Sequence, residues 1–308
     1  MLAAYISHAD CARHEMGEGH PECPERLGAI HDHLLIKGLL DHMLPFDAPS
    51  ATDEQLACAH DADYVLGLAA ASPPCGYRQV DPDTRMNAHT LAAARRAAGA
   101  AILATDLVMR GEVPAAFCNV RPPGHHAARD AAGGFCFFNN VAVGIRHALR
   151  THGLERIALV DFDVHHGNGS EDILRGDDRV LMCSTYETDL YPFPSGDRSG
   201  PGMVNVGLPA RSGGQAFRDA VSRHWLPALA AFRPQLIFVS AGFDAHREDD
   251  MGNLGLVEAD FEWVTRQVVD VARAHCEGRI VSCLEGGYAL SALGRSAAAH
   301  VRVLIGAD

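Results

Sequence analysis

Hydrophobic positions along this chain follow two rhythms. Short continuous apolar runs recur at Ala115-Ala116-Phe117-Cys118, Ile157-Ala158-Leu159-Val160, Leu236-Ile237-Phe238-Val239 and Ile280-Val281-Ser282-Cys283-Leu284. Runs of this length, bounded by polar and glycine-rich stretches, read as strands buried on both faces. Between them lie segments with apolar spacing of three and four, which read as helices: 25–40, with Pro24 near its first turn, and 90–109, closed by Gly111 and Pro114. Further helices are expected at about 141–151 behind an asparagine cap, near 170–174, at 214–231 and at 259–275. A short strand at 3–6, another at 180–184 and a long loop over 186–202 complete the pattern. Strand and helix in alternation predict an α/β fold with a parallel sheet covered on both faces.

The polar residues cluster where these strands end. Past the run at 157–160 come Asp161, Asp163 and His165 in alternation, then Gly167-Asn168-Gly169. Strand side chains alternate between faces, so Asp163 and His165 project together. The run at 236–241 leads to Asp244, the run at 280–284 to Glu285-Gly286-Gly287-Tyr288, and the run at 115–120 to Arg121-Pro122-Pro123-Gly124-His125-His126. In open parallel sheets ligands bind beyond the carboxyl ends of the strands, where the loops converge. Carboxylates and an imidazole collected there begin a metal site. A lone strand-end aspartate is commonly a turn cap and a lone histidine structural, so it is the set that carries the reading.

Composition narrows the class. With 308 residues and 47% hydrophobic content, the chain reads as one domain over 1–308. No secretory signal or membrane-length apolar run is visible, so the expectation is a soluble, cytoplasmic protein. The nine cysteines are scattered, without a C-x-x-C pair, and read as reduced thiols. A formal charge of −13 excludes a general nucleic-acid binder, while Glu248, Asp249 and Asp250 fall close enough to Asp244 for an acidic rim that attracts cations.

The segments GHPECPERL, RPPGHHA, GGFCFFNNVAVG, VDFDVHHGNG, SAGFDA and LEGGY, in this order from residue 19 to 288, resemble the histone deacetylase superfamily of zinc amidohydrolases. The likeness is to its class II and bacterial members and covers nearly the whole chain. It implies an arginase-like single domain with a parallel sheet of about eight strands. It also implies that Asp163, His165 and Asp244 hold one zinc ion, leaving a position open for water and substrate. His126 then acts as general base and acid, with Asn168 as its partner. His125 is mainly electrostatic and held by Asp161, and Tyr288 polarises the acyl carbonyl. A neutral partner stabilises imidazolium less than a carboxylate does, so His126 is expected to have the lower pKa of the two. The resemblance further implies a channel formed by Gly134, Phe135, Phe193 and Met251, and a structural potassium ion at Asp161, Ser184 and Thr185 with backbone oxygens of Asp163 and His165. Asp81 and Asp83 are candidates for a rim acid.

The implied reaction is hydrolysis of an N-acyl amide, foremost Nε-acetyllysine in a peptide or protein. Acetylated small amines are the alternative substrate. Met251 stands where polyamine-selective relatives carry glutamate, which favours acyl-lysine, although Glu248, Asp249 or Asp250 could substitute. More distant alternatives are a two-manganese ureohydrolase, disfavoured by Asn168, and a non-catalytic acyl-lysine reader, disfavoured by the retained Tyr288. Oligomeric state is left open.

Overall fold

The computed structural model describes residues 2–194 and 199–307. Its first half runs β1 (Ala3–Ser7), α1 (Glu25–Ile36), β2 (Met43–Asp47), α2 (Asp53–Leu56), α3 (Ala62–Ala71), β3 (Arg78–Asp81), β4 (Thr84–Met86), α4 (Thr90–Met109), β5 (Ala115–Cys118) and α5 (Asn140–Thr151). The second half runs β6 (Ile157–Asp161), α6 (Asn168–Leu174), β7 (Val180–Glu187), β8 (Met203–Leu208), α7 (Gly214–Ala220), α8 (Leu226–Phe232), β9 (Leu236–Ala241), α9 (Glu258–His275), β10 (Ile280–Leu284) and α10 (Leu290–Leu304).

Eight strands form one sheet in the order β2-β1-β5-β10-β9-β6-β7-β8, every pair parallel, and β3 and β4 make a separate antiparallel hairpin. Each central strand is buried at every position, as the apolar runs required. Helices α4 and α5 pack on each other over one face; α10 packs between α1 and α9 over the other. From β6 the chain proceeds outward to β7 and β8, then returns to lay β9 on the opposite side of β6. That reversal opens a crevice beyond the carboxyl ends of β6 and β9. The register brings Asp161 level with Ser240, and Ser240 level with Cys283, so the loops after β6, β9 and β10 leave the sheet at one height.

Several elements differ from the sequence expectation for identifiable reasons. The helix over 25–40 stops at Ile36, and a 3-10 turn at Leu39–His42 returns Leu39 to the core. The helix over 214–231 is interrupted by a π-type turn at Val221–Trp225 between α7 and α8. Pro227 lacks the N–H that an α-helix would direct at the carbonyl four residues earlier, and a widened turn absorbs that loss. Strand β2 was illegible because Pro45 and exposed side chains interrupt its apolar pattern; such a sequence is tolerated because β2 lies at the sheet edge. No helix of the described residues is long and apolar enough to cross a membrane.

A buried ionic knot ties the amino-terminal loop to the ends of β5 and β10. Glu22, Arg26, Arg121 and His14 have no exposed side-chain surface. Arg26 Nη1 donates to Glu22 Oε1 at 3.0 Å, Arg121 grips the same carboxylate through Nε and Nη2, and His14 Nε2 lies 3.4 Å from Glu22 Oε2. Arg121 also donates to the carbonyls of Cys11 and His14, and Arg26 to those of Glu285 and Gly287. Burial alone would raise the Glu22 carboxyl, but Arg121, His14 and Arg26 together hold it well below the usual carboxylate range.

Removing one member of such a knot strands buried guanidinium groups, so Glu22→Gln is expected to destabilise the protein by about 3–5 kcal/mol. Denaturant unfolding at neutral pH measures the loss. The folded carboxyl lies below its unfolded value, so its contribution is present above the unfolded pKa and drains away as pH falls towards the folded one. The gap between wild type and Glu22→Gln therefore narrows below about pH 4.3.

Candidate active site

Beyond β6 and β9, two carboxylates and an imidazole converge in a nearly dry space. Asp163 and Asp244 are 1% and 0% exposed, and His165 is 6% exposed, so none of their charge is left to bulk water. His165 Nδ1 lies 3.1 Å from Asp163 Oδ1 and 3.2 Å from Asp244 Oδ2, and one ligand atom from each residue falls within 4.8 Å of the others. Backbone donors aim the carboxylates: Gly286 N–H at Asp163 Oδ2 (2.8 Å), His165 N–H at Asp163 Oδ1 (2.9 Å) and Val164 N–H at Asp244 Oδ1 (2.9 Å). Asp244 Oδ2 takes no backbone donor and remains directed into the cluster. An oxygen-rich, imidazole-containing set with fixed orientation fits a small divalent cation such as zinc.

Burial, then the neighbouring Asp163, raises the Asp244 carboxyl to about 6. Burial also works against a charged His165, yet hydrogen bonds to Asp163 and Asp244 raise its pKa to about 10. Asp163 goes the other way: three nearby imidazoles outweigh its burial and hold it strongly acidic. Gly242 and Gly286 flank the carboxylates so closely that an added Cβ at either would fall inside van der Waals contact of Asp163 Oδ2, and at Gly286 also of Asp244 Oδ2. The glycine after each strand is therefore a consequence of the charge cluster.

The tandem histidines stand beside this cluster with unlike partners. His125 Nδ1 bonds to Asp161 Oδ2 at 3.1 Å, and Asp161 Oδ1 accepts the N–H of Asp163 at 3.1 Å. His126 Nδ1 donates to Asn168 Oδ1 at 2.7 Å, which fixes its proton there and leaves Nε2 with a free lone pair. Burial disfavours charge on both. Asp163 and Asp161 outweigh it at His125 and raise its pKa well above the ordinary value, whereas at His126 the neighbours His125 and His165 add to it and depress the pKa. The order expected from Asp against Asn is the order found.

A narrow cavity of about 120 Å³ opens from the cluster to the surface, lined by His126, His165, Gly134, Phe135, Met251 and Tyr288, with Asp83 and Tyr191. Larger grooves exist elsewhere on the surface, but none of them is lined by His126, His165 or Tyr288. Phe135 and Tyr288 meet edge to face with centroids 5.9 Å apart. Burial, with Asp244 second, raises the Tyr288 phenol well above its ordinary value, so it keeps its proton for donation.

Phe193 is a correction. It is 69% exposed and does not line the cavity; Tyr191, two residues earlier, does, and packs edge to face on His126 at 5.0 Å. The same loop thus presents an aromatic ring to the cavity, but from Tyr191. Of the two rim acids, Asp83 lines the cavity. Glu248 and Asp249 do not form the acidic rim: Arg295 holds Glu248 at 2.8 Å, and buried Asp249 accepts the backbone N–H groups of Met251, Tyr288 and Ala289. Ser184 and Thr185 are buried on β7, with Ser184 level with Asp161 and its Oγ without a hydrogen-bond partner among the described residues.

Glu285 is a functional residue that the strand pattern alone does not mark. Its Oε2 accepts the N–H groups of Gly124 (2.7 Å) and His125 (3.0 Å), and its Oε1 accepts from Ser240 Oγ (3.2 Å), so it seats the loop carrying both histidines. Burial raises its pKa to about 7. The available signal was a lone acid at the end of a fully apolar strand.

The chain belongs to the histone deacetylase family: the histone deacetylase domain matches residues 20–304. It is 40% identical over 277 residues to a histone deacetylase-like amidohydrolase of Pseudomonas aeruginosa, spanning 88% of this chain and 73% of that protein. It is 37% identical over 333 residues to polyamine deacetylase HDAC10 of Mus musculus, spanning 99% of this chain and 48% of that protein. Among solved structures, the HDA15 HD domain superposes with a TM-score of 0.92 at 32% identity, covering 99% of this chain and 88% of that one. The fold is the deacetylase fold of that domain.

Gly242→Ala pushes a methyl group into Asp163 and is expected to weaken divalent-cation binding about 10- to 100-fold, the range seen when the supports of metal ligands are disturbed. Zinc titration against a competing chelator measures this, with circular dichroism as the check on folding.

Proposed function

We propose that this protein is a zinc-dependent deacylase that hydrolyses Nε-acyl-lysine, foremost acetyllysine in peptides or proteins, to the free amine and a carboxylate. The observation that carries the reading is the convergence of His126, Tyr288, Phe135 and Met251 on one narrow cavity that is also lined by His165, the imidazole grouped with Asp163 and Asp244. Membership of a deacetylase family supports the reaction class.

Asp163, His165 and Asp244 would hold the ion, which when bound supplies Lewis-acid polarisation of the acyl carbonyl and acidifies a water molecule. His126 Nε2 takes the proton from the attacking water, because Asn168 keeps the other ring nitrogen protonated. It then returns that proton to the departing amine. Tyr288 donates its phenol proton in a hydrogen bond to the developing oxyanion. His125, anchored by Asp161 and by Glu285 through its backbone, supplies positive charge behind the reacting centre. Phe135 and Tyr191 line the walls along which an aliphatic stem would lie. We assign Asp161, Ser184 and Thr185 to a structural potassium ion, with the unpartnered buried Ser184 Oγ as support.

The polyamine alternative has an acid at the mouth, Asp83, in its favour. Against it, Met251 lines the cavity, Glu248 is neutralised by Arg295, and Asp249 is spent on backbone donors. Acetyllysine peptides are therefore expected to give a kcat/KM at least tenfold above N-acetylputrescine; the reverse order would overturn the substrate assignment. Tyr288→Phe is expected to lower kcat by about 10²–10³-fold with the zinc content unchanged, the scale of removing one oxyanion donor. Steady-state kinetics with elemental analysis checks it, and near-wild-type turnover would remove Tyr288 from the reaction.

A further inference from the structure

A second set of metal-binding side chains lies at the opposite end of the sheet. Helix α4 feeds into β5 and α5 into β6, so the carboxyl ends of both helices sit beside the amino ends of the strands, away from the catalytic crevice. There Asp106 of α4 meets His147 of α5 and His152, the residue that caps α5. His147 Nε2 and His152 Nε2 approach the same oxygen, Asp106 Oδ1, at 2.7 and 2.8 Å, and the two rings stand edge to face with centroids 5.6 Å apart. One ligand atom from each residue falls within 4.8 Å of the others.

We propose that Asp106, His147 and His152 form a surface site for a divalent transition-metal cation such as zinc, distinct from the catalytic one. Two imidazoles and a carboxylate are the donor set of many such sites, and three protein ligands leave room for water or a further ligand. The Nδ1 atom of His147 lies 3.3 Å from Thr151 Oγ1, the outer contact that orients an imidazole and directs Nε2 at a cation. The side chains are 28% exposed at Asp106, 15% at His147 and 19% at His152, so the cluster is held but reachable. His147 also lines a groove of about 420 Å³ with Glu54, Cys58, Arg150 and Thr151, which supplies the access path. Seating a cation requires the Nε2 and Oδ1 atoms to separate by about half an ångström from hydrogen-bonding distance, since metal–ligand bonds are about 2.0–2.2 Å long. Side-chain rotation at these partly exposed positions provides this. The bound cation would clamp α4 to α5, two helices that already pack together where Ala101 approaches Gly144.

The test uses the full chain with zinc chloride alone as probe. After equilibration with a small excess of zinc and dialysis, crystals measured at the zinc absorption edge are expected to show anomalous density between Asp106, His147 and His152. That position separates it from any zinc at Asp163. His147→Gln and His152→Gln, both at partly exposed positions, are each expected to lose this density and to bind one zinc ion fewer per chain than wild type. Deacetylase activity should stay unchanged in both. Absence of density at the cluster in wild type would overturn the proposal, leaving a hydrogen-bonded tie between helices. So would an unchanged zinc count in both variants.

Discussion

Two carboxylates held against one imidazole, at the ends of neighbouring strands and almost out of reach of water, impose the constraint around which this molecule is arranged. Asp163 and Asp244 repel each other in a poorly solvated space, and burial penalises each of them further. Such a pair persists only if positive charge and hydrogen-bond donors surround it. His165 lies between them, three backbone N–H groups aim at them, and the flanking positions 242 and 286 are glycine because no side chain fits. A divalent cation is the natural complement to this charge.

The same demand extends outward. His125 carries positive charge against Asp161 and Asp163, and that charge in turn helps to keep adjacent His126 neutral. Two consecutive residues of one type thus acquire opposite tendencies from their surroundings: Asp163 and Asp161 raise His125, while burial and the flanking imidazoles depress His126. Glu285 fixes the loop that carries both, and the Glu22–Arg26–Arg121 knot fixes the strand ends from which these loops depart. Rigid supports of this kind give a site its precision, since small displacements of reacting groups cost much of the rate.

The geometry also separates the two candidate metal-binding clusters by their solvation. At the crevice end Asp163, His165 and Asp244 are nearly dry, and the two carboxylates are aimed by backbone donors. At the far end Asp106, His147 and His152 remain in partial contact with solvent and rely on side-chain contacts alone. The first arrangement suits chemistry, which gains from a low dielectric. The second suits a cross-link between two helices.

The central strands, their parallel arrangement and the candidate cluster of Asp163, His165 and Asp244 were legible in the chain itself, whereas β3, β4 and β8 were not. Fully buried parallel strands leave continuous apolar runs, and ligands at strand ends keep a fixed offset from those runs, as Asp163, His165 and Asp244 do. Edge strand β2, with Pro45 inside it, carried no such mark, because an edge is freed from the full pairing that writes the pattern. Tertiary structure alone decided three matters: that Tyr191 and not Phe193 reaches the cavity, that Glu248 and Asp249 are engaged by Arg295 and by backbone, and that Asp106 meets two histidines more than forty residues away. Each depends on the path of a loop or the packing of two helices. Contacts of that kind are set by the summed shape of the core, and short-range periodicity holds no record of them.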